Sequence, residues 1–243
     1  MDRSQSFGDA AEDYHRFRPG YPAEVADLVL GHAVGPVRRA LEIGAGTGKA
    51  TRLFAGRGVH VTAVEPDPGM RDVLEAETAD LPVTVLPATF EDVDPGAVGP
   101  VDLCFAAAAF HWTDPATRWQ RVAALLRPGG VVAVFGARTE LADPGLAAAV
   151  AAVEAEIDAE VPGLEAAYAG PGDLPEFEAV DLTVVPRRST YDADAYVRHL
   201  ATVSAYLVLD PAERDEALNQ VRALLPARLE LVQDVRIQLA RRA

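Results

Sequence analysis

The chain has 243 residues, 49% hydrophobic and 24% charged, which predicts one domain with additions rather than two and rules out a compositionally disordered chain. Its 22 basic and 37 acidic residues leave a formal net charge of −15, so phosphate backbones and anionic lipid surfaces make poor partners. A single cysteine, Cys104, excludes an intrachain disulfide and a cysteine zinc cluster. The first residues, MDRSQSFGDAAEDYHRF, lack the basic start and apolar run of a secretory signal. No stretch is apolar for long enough to span a bilayer, so a cytoplasmic protein is expected.

In chain order, Pro22 opens a predicted helix over 22–33. Short runs rich in Val, Leu and Ile follow at 38–44, 59–65, 82–88, 101–108 and 130–136, as strands buried on both faces should read. Helical spacing separates them. In 117–126, Trp119, Val122 and Leu126 share a face, and Pro128-Gly129-Gly130 ends the helix. This alternation predicts a parallel sheet with helices on both sides. Beyond it, Val150, Val153, Ile157 and Val161 mark an amphipathic helix over 145–161, and a loose Gly/Pro stretch covers 170–177. A strand at 178–186, helices at about 192–205 and 211–225, and a strand at 229–239 complete the pattern. Leu229, Leu231, Val235, Ile237 and Leu239 alternate with polar residues, which predicts a partly exposed edge for that last strand.

The most informative segment is LEIGAGTGKAT at 41–51. A strand ends at Glu42-Ile43, and Gly44, Gly46 and Gly48 then let a ligand approach the backbone before a helix begins near Thr47. In a doubly wound sheet this loop lies at the carboxyl end of the first strand, where ligands bind. The dinucleotide pattern G-x-G-x-x-G fails because position 49 is Lys49, and a nucleotide-binding phosphate loop fails because Ala50 follows Lys49. Glu65 ends the second strand, 21 residues after Gly44, where a carboxylate can accept both ribose hydroxyls.

E-I-G-A-G-T-G at 42–48, V-E-P-D at 64–67 and L-R-P-G-G at 126–130 together resemble the class I S-adenosylmethionine-dependent methyltransferases, of methyltransferase domain type 11/12. The resemblance implies an α/β fold: a doubly wound, seven-stranded Rossmann-like sheet with its last strand antiparallel and a helical insertion after strand 5. It divides a single domain, 1–243, into an N-terminal helical clasp (1–36), a cofactor-binding core (37–136), a helical insert or lid (137–176) and C-terminal strands and helices (177–243). Glu42, Gly44, Ala45, Gly46, Thr47 and Gly48 would hold the methionine portion of S-adenosylmethionine. Glu65 would take the ribose, with Pro66 beside it and Met70 against the adenine. In A-T-F-E-D at 88–92, Thr89 stands where the family often has aspartate, which leaves the Phe90 backbone or Glu91 to read the adenine amino group. Ala106, on the fourth strand, completes the cofactor set.

Two further segments, 11–22 (AEDYHRFRPGYP) and 109–114 (AFHWTD), are similar to a branch of the family that includes trans-aconitate methyltransferase-like proteins. There Tyr14 and Arg18 would approach the methionine end, Tyr14 as a catalytic candidate and Arg18 pairing its carboxylate. Alternatively, Tyr14, Phe17 and Tyr21 only anchor the segment. Pro19 keeps Arg18 out of helical geometry, so a helix turning into an extended strap is expected. His111 and Trp112 would meet the acceptor, with His111 either a general base at an ordinary pKa near 6.5 or a structural cap.

Of the other histidines, His60 reads as a core residue, His32 as a helix end and His15 as solvent-facing. His199, with Tyr196, Thr202 and Tyr206, reads either as a lid or as buried packing. Arg138 and Tyr168, on the insert, are further acceptor contacts. No metal ligand set is evident. The resulting expectation is a small-molecule methyltransferase, most simply an O-methyltransferase working by in-line displacement, as monomer or homodimer. The alternatives are a fold diverted to cyclisation or elimination, and a non-catalytic partner subunit.

Overall fold

The computed structural model describes residues 10–157, 170–172 and 174–243. Its strands are β1 (Arg39–Ile43), β2 (His60–Val64), β3 (Val83–Leu86), β4 (Val101–Ala107), β5 (Leu126–Ala137), β6 (Glu140–Leu141), β7 (Phe177–Val185), β8 (Arg188–Asp192), β9 (Arg228–Val232) and β10 (Val235–Arg242). Its helices are α1 (Ala11–Phe17), α2 (Ala23–Gly31), α3 (Lys49–Ala55), α4 (Pro68–Thr78), α5 (Pro95–Val98), α6 (Arg118–Leu125), α7 (Pro144–Glu154), α8 (Ala193–Leu200), α9 (Ser204–Leu207) and α10 (Pro211–Leu224). They fall into two compact units.

The larger unit holds residues 20–136 with β7 and β10. Its seven strands run in the order β3-β2-β1-β4-β5-β10-β7. The first five pair in parallel, and β10 runs antiparallel to β7. Side chains alternate across each strand, so the sheet feeds two apolar layers. On one face Leu41, Ile43, Cys104, Val132 and Val134 pack under Trp119, Val122 and Leu125 of α6. On the other, Phe54 of α3 meets Phe105 with ring centroids 4.4 Å apart, and the Tyr21 ring stands edge-on to Phe135 at 5.0 Å. Tyr21 therefore anchors its segment, as one of the two readings of the N-terminal motif held.

The last strand corrects an expectation. The stretch 229–239 is two strands, and the second, β10, lies inside the sheet between β5 and β7. Val235, Ile237, Leu239 and Ala240 are buried. The alternation misled because the polar Gln238 is buried and satisfied internally, donating through Nε2 to Asp181 O at 3.0 Å. The break falls at Gln233-Asp234, where the Gln233 amide donates to Arg187 O and Asp234 accepts from the Arg187 amide, both at 2.9 Å.

The smaller unit holds residues 10–19, 137–157 and 186–234. A three-stranded antiparallel sheet, β6-β9-β8, packs with α7, α8 and α10 around Val150, Tyr196, Tyr206, Val221 and Leu231. Neither β6, two residues long, nor polar β8 (RSTYD) carries an apolar strand pattern. The helix expected over 145–161 runs from Pro144 to Glu154 and then tightens to a 3-10 turn, Ala155–Ile157; Val161 lies outside the described residues. The helix expected over 192–205 is broken into α8 and α9, and Thr202 in the break turns its hydroxyl back to His199 O at 2.7 Å. As expected from Pro19, Arg18 leaves α1 in extended geometry. Among the described residues no helix is long and apolar enough to cross a membrane.

Candidate active site

β1 delivers Glu42 to the floor of the glycine loop with no solvent exposure. The Thr51 hydroxyl, on the first turn of α3, donates to Glu42 Oε2 at 2.5 Å. Glu42 Oε1 is buried without a hydrogen-bond partner, and so is Thr47 Oγ1 in the loop above. Burial pushes the Glu42 carboxyl up to about 8, with nearby Glu65 adding to the rise and the Thr51 bond opposing it.

Two glycines set the shape of the loop. Gly44 has φ +64°, and a Cβ there would stand 2.6 Å from Ala109 Cβ, so only glycine lets the β1 and β4 ends approach this closely. Gly46 has φ +55° and open space where a side chain would be. Its amide instead donates to Glu65 Oε2 at 2.7 Å, while the Asp67 amide donates to Oε1 at 3.0 Å. Burial raises the Glu65 pKa, and these two amides work against the rise. Glu65 is thus clamped at the tip of β2 with a lone pair on each oxygen still unclaimed by these bonds. The Ala45 amide ties the loop to Val64 O at 3.0 Å.

The remaining cofactor candidates sit around this frame. Asp67 caps α4 by accepting the Met70 amide at 2.9 Å, which leaves Met70 buried after Pro66. Thr89 donates to Asp92 at 2.7 Å, closing the turn that carries Phe90. Glu91 accepts the Asp114 amide at 2.9 Å, so the segments after β3 and β4 are joined. Ala106 is buried in register between Ile43 and Val134, below the loop and within the core.

His111 and Trp112 lie on a 3-10 turn after β4, half-buried, with ring centroids 4.5 Å apart. Burial, with the Arg118 guanidinium nearby, lowers His111 to about 4. That corrects the ordinary value near 6.5: the ring is neutral at physiological pH and a weak base. Just before it, Ala108 is exposed at φ +54°, a left-handed conformation for a residue with a side chain.

The other candidates belong to the smaller unit. Arg18 donates to Thr202 Oγ1 at 2.9 Å and Thr202 O at 3.1 Å, and its guanidinium lies over the Tyr14 ring. His199 is buried, and burial with Arg18 nearby lowers it to about 3. The Tyr206 hydroxyl reaches Glu154 at 3.3 Å from a fully packed ring. Both fit the packing alternative. Arg138 is exposed, and Tyr168 lies outside the described residues. Two histidines correct expectation: His60 is exposed at the start of β2, with Nε2 3.5 Å from Thr84 Oγ1, and His15 is half-buried. His32 does end α2, its Nε2 3.0 Å from Ala179 O. No group of three His, Cys, Asp or Glu able to hold a metal ion occurs among the described residues.

Residues 41–134 match the family model of the methyltransferase domain. An uncharacterised methyltransferase of Mycobacterium tuberculosis is 48% identical over 130 residues, 53% of this chain and 51% of that protein. The trans-aconitate 2-methyltransferase of Rhizobium leguminosarum bv. trifolii is 33% identical over 131 residues, 51% and 48% of the two chains. A solved structure assigned as a type II methyltransferase from Anaeromyxobacter dehalogenans superposes with a TM-score of 0.66 at 25% identity, covering 92% of this chain and 97% of that one. The chain carries the methyltransferase domain over residues 41–134. It spans about half the length of the curated relatives it matches.

Three residues of this methyltransferase domain escaped the sequence reading. Thr51 holds Glu42, Asp67 holds Glu65, and Arg121 donates to Phe90 O at 3.0 Å and Val93 O at 2.8 Å. Asp67 was readable, because an Asp followed by Pro is the signature of a capped helix start. Thr51 and Arg121 carry no such local signal.

Proposed function

We propose that the chain is an S-adenosylmethionine-dependent methyltransferase that methylates a small organic acceptor, most simply at oxygen. The observation that carries this reading is the buried, half-partnered Glu42 beneath a glycine loop open at Gly46, with Glu65 clamped beside it. The donor set fits that cofactor. A buried carboxylate with a spare oxygen matches a cationic amino-acid end, and a second carboxylate with a lone pair on each oxygen matches a ribose diol.

Bound S-adenosylmethionine supplies an electrophilic methyl group on a sulfonium. The residues of the chain bind and orient. A nearby cation favours ionised Glu42 and draws its pKa down from the raised value. Glu65, fixed by two backbone amides, accepts the ribose hydroxyls without reorganising. The turn carrying Phe90, held by Arg121, supports the adenine side. Neutral His111 accepts a hydrogen bond from an acceptor hydroxyl and orients its oxygen for in-line attack. Its low basicity makes it an orienting group rather than a strong base, and positioning of this kind supplies much of the acceleration in a displacement at carbon. The resemblance to a trans-aconitate enzyme over the matched half supports a small organic acceptor.

Calorimetric titration of the full chain with S-adenosylmethionine tests the reading, and no binding at millimolar ligand would sink it. Glu65→Ala should weaken the affinity by about 1.5–3 kcal/mol, the worth of hydrogen bonds to a charged group. Unchanged affinity would remove Glu65 from the ribose.

A further inference from the structure

β7 is the outermost strand of the seven-stranded sheet, and among the described residues no strand pairs with its outer edge. Along it Val180, Leu182 and Val184 fall at alternate positions on one face and keep 50%, 59% and 48% of their surface exposed. Exposed edges in monomeric proteins are blunted by lysine, proline or short length. Residues 180–185, Val-Asp-Leu-Thr-Val-Val, contain neither lysine nor proline and a single charge. The irregularity of β7 against β10 lies before this stretch, where Ala179 takes φ +49°; from Asp181 to Val185 the register is unbroken.

The row is its own complement. When two β7 strands lie antiparallel about Leu182, Leu182 meets Leu182, Val180 meets Val184 and Asp181 meets Thr183, with no like charges opposed. Centring on Asp181 would oppose two carboxylates. Centring on Thr183 would set Val180 against Pro186 and Asp181 against Val185. Moving the axis by one residue, a two-residue slip of the pairing, is therefore penalised in either direction.

We infer that β7 is a self-association edge through which two copies of the chain join their sheets about a two-fold axis at Leu182. Such a contact is isologous, as two-fold dimers require. Five paired residues on each strand bury less than the roughly 800 Å² per partner of a standard interface, so the dimer is weak and concentration-dependent. Each copy carries a charge of −15. Salt screens that repulsion, so association tightens as ionic strength rises.

Sedimentation velocity of the full chain over a wide concentration range, at low and high salt, reads the association, and disulfide trapping reads the register. The expected result is a reversible monomer–dimer equilibrium favoured by salt and abolished by Leu182→Lys. Leu182→Cys should cross-link to itself under mild oxidation, because directly opposed residues have Cα atoms about 4.5–5.5 Å apart, within disulfide reach. Thr183→Cys should not, since its opposite is Asp181. The native Cys104 is buried and stays out of the reaction. A monomer under all conditions, a dimer indifferent to Leu182→Lys, or Thr183→Cys cross-linking as well as Leu182→Cys would each overturn the inference.

Discussion

Buried Glu42 makes the stability of the fold depend on pH. Its folded pKa, about 8, stands above the ordinary 4.5, so the protonated form is the one the ligand-free fold prefers. Its contribution to stability is fully present below pH 4.5 and is lost as pH rises through about 8. Glu42→Gln removes the titration while keeping the shape. Urea denaturation across this range should show the stability of the parent falling relative to the Gln variant as pH rises; parallel curves would refute the buried titration. Ala108 holds the opposite kind of cost, in the backbone. A left-handed residue with a Cβ costs about 1–2 kcal/mol, part of which glycine returns through the entropy of the unfolded chain. Ala108→Gly should therefore stabilise the fold by up to about 1 kcal/mol, and Ala108→Val should destabilise it, both read by denaturant titration. A Val variant as stable as the parent would mean the strain is absent.

Helix α6 does more than cover the sheet. Trp119, Val122 and Leu125 face the core, while Arg121 reaches from the same helix to the carbonyls of Phe90 and Val93. Arg121→Met keeps the apolar stem and loses both charged hydrogen bonds. A loss of about 2–3 kcal/mol in urea denaturation is expected, and a value within experimental error of the parent would show that the turn holds itself. The apolar face of α6 was legible in the sequence because its period is that of a helix. The clamp was not, because its partners are backbone carbonyls 28 and 31 residues away. The same distinction runs through the site. Gly44, Gly46 and Glu65 announce themselves by spacing within one strand–loop–helix–strand unit. The basicity of His111 depends on burial and on Arg118, which no spacing records.

Across the whole chain, the five parallel strands were readable because each lies in a short run rich in Val, Leu, Ile or Ala. β10 was misplaced because an interior strand with a satisfied glutamine reads like an edge. The smaller unit was only partly readable: its helices follow their period, while β6 and β8 owe their existence to pairing with β9. The position of β10 carries a prediction. Ending the chain after Asp234 removes a strand flanked on both sides and should abolish cooperative unfolding, as followed by near-UV circular dichroism. Loss of a true edge strand would leave a native signal, and finding one would contradict the strand order.

That strand order also governs what happens during synthesis. The glycine loop, Glu65 and the His111 turn have all been translated by residue 136, yet the slot beside β5 is filled only by residues 235–242. β9, the centre of the small sheet, ends at Val232. The ribosome therefore holds two unfinished sheets until residues 228–242 have been translated. For that interval the apolar flank of β5 is an unpaired strand edge, and the nascent chain is at its most vulnerable to aggregation.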